Sequence, residues 1–365
     1  IRVRVRVSEL DPHYPLGIPK GYINTSKHDT SDKVFSHAFI NQTIMGGGSE
    51  QEINTELDDF VDMVFNQLET AKNYVRKLYR MYVRSEWGQD VEDDIITPLA
   101  QQLQSNGFNI KEVLITLLKS QHFYDLDDSD SSNENIGGII KNPLQYLNEL
   151  ICLLNVQIPN AMATPPVEGE SLTNDNEYYN FYRFWWFFCH NTFFSFSGMS
   201  LFAPPSVAGY SADYQSPAYD RAWFNSNNIV ARYNTILSFI GSTYNDSYGN
   251  GNNRIQGVQT TSSGAQYFSR IWTNFSTVQF IENTISDASN AELIIQELAD
   301  LFYCESIDND RIAYFKLFLI PLGQPDYYWS NAWNSYTSTG DYSQVKIRLD
   351  ELIPKMINAA EFQLM

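Results

Sequence analysis

The sequence predicts a mainly α protein, an irregular multi-helix assembly with a short N-terminal β or extended arm. Three observations predict it. Apolar residues recur at three- and four-residue spacing through most of the chain beyond residue 48. Helix-start signals stand ahead of those runs: Ser49 with Glu52, Asn109 with Glu112, and Asn142 before Pro143. Strict two-residue alternation marks the opening stretch IRVRVRV.

In that opening stretch Val3, Val5 and Val7 fall on one face and Arg2, Arg4 and Arg6 on the other, as in a half-buried strand. Unpaired strand edges need a partner. The expected partner is a preceding region of the protein, another chain, or internally the stretch KVFSHAFINQTI. The chain does not open on methionine, so an upstream region carrying any export signal is expected. Leu10 to Gly48 reads as an extended arm punctuated by Pro and Gly.

The first helix carries Leu57, Phe60, Val61, Val64, Phe65 and Leu68 as its expected apolar face. Ala71, Val75, Leu78 and Tyr82 mark a second helix, and Val91, Ile95, Leu99 and Leu103 a third with a bend expected at Pro98. Val113, Leu114, Leu117 and Leu118 follow the Asn109 signal, and Leu144, Leu147, Ile151 and Leu154 follow Pro143. A highly aromatic helix over about residues 177–190 is apolar nearly all round and is expected to be buried. In the last third, Ile294, Leu298, Leu301 and Phe302 share one face, and Val345, Leu349, Leu352 and Met356 another. The expected organisation is an arm over 1–48 and a helical domain over 49–365, with long connectors near 157–175 and 241–264.

Hydrophobic residues make up 43% of the 365 and charged residues 18%, the balance of a globular chain. The net charge of −19 repels phosphate backbones and anionic lipid, which argues against nucleic-acid partners. Cys152, Cys189 and Cys304 lie in apolar stretches and read as core residues, not as a disulfide framework. No apolar run reaches transmembrane length.

Four stretches invite a chemical reading. KHDTSDK places His28 beside Asp29, and a carboxylate that orients an imidazole serves acid–base work or metal binding. The bland reading is a turn in which Asp and Thr bond local backbone groups. DLDDSDSSNENIGG offers Asp125, Asp127, Asp128 and Asp130 as oxygen ligands for calcium. Counted from Asp128, however, the EF-hand glycine falls on Asn133 and the bidentate glutamate on Ile139, so a solvated acidic loop is favoured. DYYWSNAWNSY would place Trp329, Trp333 and Tyr336 on one helical stripe with asparagines between them. That composition suits stacking on a glycan, although aromatic stripes are more often core. FAPPSVAGY, residues 202–210, reads as a rigid loop whose bulky side chains lock against neighbouring helices. Serine-hydrolase, P-loop, zincin and paired-cysteine motifs are missing from the sequence.

Several stretches together carry a family resemblance: KHDTSDKVFSHAF, YVRKLYRMYV, EVLITLLKSQHFYD, IIKNPLQYLNELICLL, MSLFAPPSVAGY and AAEFQLM. In this order the chain resembles the C-terminal half of the bacterial domain of unknown function 1800 family. The ending EFQLM resembles that of Bacteroidetes-type members. Ser206 and Tyr210 depart from the family's Asn and Trp in the proline loop. The resemblance implies no established reaction. It implies export to the periplasm, outer-membrane surface or exterior, and a sulfatase-like protein encoded nearby as a partner. The expected function is accordingly a non-catalytic envelope or cell-surface component of an assembly, or a glycan-binding module. The alternative is a secreted hydrolase whose catalytic residues lie partly upstream. Beyond calcium at the acidic loop, no cofactor is expected.

Overall fold

A computed structural model describes residues 3–10, 19–23, 25–126, 135–154, 158, 160, 181, 183–240, 254–255, 271–272 and 276–365. The expected connectors near 157–175 and 241–264 therefore fall almost wholly outside the described residues. The chain is mainly helical and divides into two compact units. One is Ile1–Tyr82 with Trp87–Phe123, and the other is Val83–Glu86 with Tyr124–Met365.

The first unit opens with β1 (Val3–Leu10), which pairs antiparallel with β2 (Pro19–Ile23). Val3 faces Ile23 and Val5 faces Gly21, with an irregularity between Arg6 and Leu10. The internal partner is thus β2 and not KVFSHAFINQTI, whose ends form their own antiparallel pair, β3 (Lys33–Val34) with β4 (Thr43–Ile44). A short hairpin satisfies the strand at less loop-closure cost than the more distant segment would.

Helix α1 (Glu50–Phe65) starts where Ser49 and Glu52 form a complete capping box. Its buried residues are Ile53, Glu56 and Met63, whereas Leu57, Phe60, Val61 and Phe65 remain exposed. This corrects the expected face. Helix α2 (Leu68–Tyr82) buries Ala71, Val75 and Tyr79 against α4. The third helix is split: α3 (Gln89–Val91) passes through a π turn (Glu92–Ile96) into α4 (Thr97–Ser105). Pro98 lacks the N–H that would reach back to residue 94, and the wider turn absorbs that missing bond. Helix α5 (Ile110–Leu118) completes the unit, burying Val113 and Leu117.

The second unit has a continuous apolar core. Asn142 and Gln145 form the capping box of α6 (Pro143–Leu153), with Pro143 in the first turn. A π helix (Arg183–Phe194) supplies Phe184, Phe188, Cys189, Phe193 and Phe194 to the core, although Trp186 on it is exposed and residues 177–180 of the expected helix lie outside the described residues. After the short α7 (Ser211–Tyr214) come α8 (Asn228–Ile240), the strand pair β5 (Arg254–Ile255) and β6 (Ile271–Trp272), and five further helices. These are α9 (Thr277–Thr284), α10 (Ala291–Phe302), α11 (Asn309–Leu319), α12 (Tyr327–Thr339) and α13 (Ser343–Ile357). Helix α13 is the hub, touching α8 through α12, and Val345, Leu349, Leu352 and Met356 are buried on it. Among the cysteines only Cys189 is buried; Cys152 and Cys304 are exposed, correcting the expectation of three core thiols. Leu301 is likewise exposed although Ile294, Leu298 and Phe302 are core. No helix among the described residues is long and apolar enough to cross a membrane.

Candidate functional site

The densest buried polar cluster singled out by the sequence is built on a turn in the first unit. A 3-10 turn (Thr25–Lys27) delivers His28, whose backbone N–H bonds the Thr25 carbonyl. Asp29 then folds the chain back: its carboxylate accepts the Ser31 backbone N–H at 3.0 Å and the Ser31 hydroxyl at 2.8 Å. The Ser31 bonds hold the Asp29 carboxyl below its usual range. The Lys33 ammonium donates to the Asp29 and Ser31 carbonyls and closes the turn. Asp32 accepts the Gly46 N–H at 3.0 Å, which brings the glycine run ahead of α1 against the turn. A side chain at residue 46 would put its Cβ 2.3 Å from the Ser31 carbonyl oxygen, so this approach requires glycine.

Helix α1 provides the partner for the imidazole. Glu56 lies one turn beyond Glu52, and its Oε2 meets His28 Nε2 at 2.8 Å. Its Oε1 lies 3.2 Å from the Lys33 ammonium. The side chains of His28 and Glu56 are only 3% and 7% exposed. Burial pushes the Glu56 carboxyl up, but hydrogen bonds and charge from His28 and Lys33 outweigh it and hold the group below its usual range. His28 Nδ1 is enclosed and has no hydrogen-bond partner. A carboxylate-oriented imidazole with its second nitrogen unengaged can accept a proton or ligate a metal. The same arrangement also ties the turn to α1.

The sequence places Asp29 as the partner of His28. The structure assigns Asp29 to Ser31 and brings in Glu56, a residue the sequence reading missed. One signal was present: Glu56 shares a helical face with Ile53 and Met63, and a carboxylate on a buried face implies a cation nearby.

The remaining candidates do not join this cluster. Asp125 Oδ2 accepts the backbone N–H groups of Asn135 at 2.7 Å and Ile136 at 3.2 Å. Asp127, Asp128 and Asp130 lie outside the described residues, and among the described residues no group of side chains is arranged to hold a metal. On α12, Trp329, Trp333 and Tyr336 do share a stripe, but it faces inward. Trp329 is fully buried, with its indole N–H donating to the Ala288 carbonyl at 2.9 Å, and Trp333 is buried beside it. The Tyr336 hydroxyl donates to Glu282 at 2.7 Å. Neither indole presents a face for stacking on a sugar, and the stripe is interior packing.

The loop of residues 202–210 divides into an anchored end and an exposed tip. Tyr210 locks inward, its hydroxyl donating to the Ser200 carbonyl and its ring lying 5.7 Å from that of Trp223. The Gly209 N–H bonds the Ser206 carbonyl at 3.1 Å, and Gly209 takes a positive φ of 105° that suits only glycine. Phe202 and Val207, however, are fully exposed, and Pro204 and Pro205 between them are exposed too. The expectation that bulky side chains of the loop pack against helices is corrected for these two: only Tyr210 does so.

A family model described as "Protein of unknown function (DUF1800)" matches residues 18–364. No curated protein and no solved structure matches the chain.

Proposed function

We propose that this chain, which belongs to the DUF1800 family, is a non-catalytic component of an exported envelope or cell-surface assembly that docks a protein partner through residues 202–207. The carrying observation is the pair of fully exposed apolar side chains, Phe202 in the turn closed by the Ala203 N–H on the Ser200 carbonyl and Val207 within the Ser206–Gly209 bridge. An apolar tip of this kind gains free energy only when something covers it, and a loop held in shape loses little entropy on binding. The inward anchoring by Tyr210 supports the same reading, because it rigidifies the loop without burying its tip. Export rests on the family resemblance of the sequence motifs.

The test compares the wild-type chain with Phe202→Ser/Val207→Ser in cross-linking on intact cells that express the full-length protein. The expected result is a discrete cross-linked species that disappears in the variant. Thermal stability should stay within about 0.5 kcal/mol of wild type, because exposed positions contribute little to folding. Fractionation of the same cells checks the location; recovery from cytoplasm alone contradicts it.

A secreted hydrolase is the second reading, supported by the His28–Glu56 pair with its unengaged Nδ1. It requires hydrolysis of an ester or glycoside substrate that His28→Gln abolishes while the fold survives.

A further inference from the structure

The second unit contains an open groove of about 240 Å³ between the π helix and α8. Phe188 and Thr192 reach it from the π helix, at four-residue spacing that the wide π turn keeps on one side, and Phe196 stands just beyond. Val230 and Asn234 face it from α8 at the four-residue spacing of one helical stripe, and Asn227 joins them from the residue just ahead of the helix. The opposite side of α8 holds Arg232 and Ile236 in the interior, so the orientation of this stripe is fixed by packing.

The chemistry of the lining selects a ligand class. The chain has 43 acidic and 24 basic residues, yet none of the described residues lining the groove carries a charge. A phosphate or carboxylate ligand calls for a cation here, and an ammonium ligand for a carboxylate. The polar lining is instead two primary amides and the hydroxyls of Thr192 and Thr235, groups that both donate and accept hydrogen bonds, as sugar hydroxyls do, with the Thr235 hydroxyl already donating to the Ala231 carbonyl at 2.7 Å. Phe196 is 68% exposed at the rim, an aromatic surface of the kind that apolar C–H groups of a sugar pack on. Phe188 is buried and gives the groove an apolar floor. A groove of this size falls below the usual range for drug-sized ligands, about 300–1,000 Å³, and matches a single ring.

We propose that this groove is a subsite for one ring of a neutral carbohydrate, with Phe196 as the stacking platform and Asn227 and Asn234 as hydroxyl partners. It uses residues separate from the docking loop, so each proposal can fail without the other.

The test is saturation-transfer-difference NMR on the full chain with chitohexaose, cellohexaose, mannohexaose and maltohexaose, each added singly. At least one is expected to receive saturation at its ring C–H protons. Phe196→Ala and Asn227→Ala should each weaken that ligand by about tenfold, within the range of aromatic stacking on planar rings. Asn227→Asp, which keeps the shape and removes the amide donors, should weaken it as well. Phe202→Ser should leave binding unchanged. The proposal is overturned if none of the four oligosaccharides receives saturation, or if binding survives unchanged in folded Phe196→Ala and Asn227→Asp proteins.

Discussion

Glu56 shows what one buried carboxylate does in this chain. It receives His28 on Oε2 while the Lys33 ammonium lies within reach of both oxygens, and both partners come from a turn 23 to 28 residues earlier. Glu56→Gln keeps the shape but removes the charge that satisfies both, and is expected to cost about 1–3 kcal/mol at neutral pH. The pH dependence follows from the direction of its shift. The folded carboxyl titrates below its usual range, so the stabilisation is present above that range and is lost as pH falls through the folded value. Denaturant melts from neutral pH downward should therefore show the gap between wild type and Glu56→Gln closing below about pH 4. A gap independent of pH contradicts the charge role. His28, Asp29 and Lys33 were legible as a cluster because they are adjacent in sequence. Glu56 was not, because local patterns say nothing about which helix a turn will meet.

Elements were more legible than their faces. The capping box at Ser49 and the helix start at Asn142 before Pro143 were readable because their signals lie within three residues, although the part of Gln145 in the second cap was not read. The stripe Val345, Leu349, Leu352 and Met356 proved buried as periodicity predicts, whereas the stripe of Leu57, Phe60, Val61 and Phe65 is largely exposed. Periodicity fixes which residues share a side; only the packing of other elements decides whether that side is covered. On α12 the stripe was readable but its destination was not, since Trp serves both cores and binding surfaces. Burial now decides the prediction. Trp329→Ala should destabilise the second unit by about 3–5 kcal/mol, as expected for a large buried ring. Trp329→Phe should cost less, although it leaves the Ala288 carbonyl without its indole donor. Thermal melts of the two variants check the order, and a near-neutral Trp329→Ala contradicts the interior placement.

At the scale of the whole molecule, the helical class followed from patterns spread along the sequence, but contacts between distant segments did not. The second unit depends on one such set. Residues Gln363 and Met365 bond the backbone of Lys141 and Ile139, forming an antiparallel bridge between Ile140 and Leu364. Beneath it lies Arg232, fully buried, donating to Gln363 Oε1 at 3.2 Å and to the Lys141 carbonyl. Its ring neighbours are Tyr146 and Phe224, and its Nε has no hydrogen-bond partner. Burial pushes the guanidinium down to about 10, so the cation is held at a desolvation cost that its few acceptors offset. Gln363→Leu removes one acceptor and leaves the cation in place, and is expected to destabilise this unit by about 1–3 kcal/mol. Arg232→Met combined with Gln363→Leu removes the cation as well, and an apolar side chain of similar length can fill the space between Tyr146 and Phe224. The double variant should therefore be less destabilised than the sum of the two single variants, with a coupling of about 1 kcal/mol or more. Urea melts of the four proteins in the cycle measure that coupling. Simple additivity would mean that Gln363 anchors its segment through backbone pairing alone, with no share in satisfying Arg232.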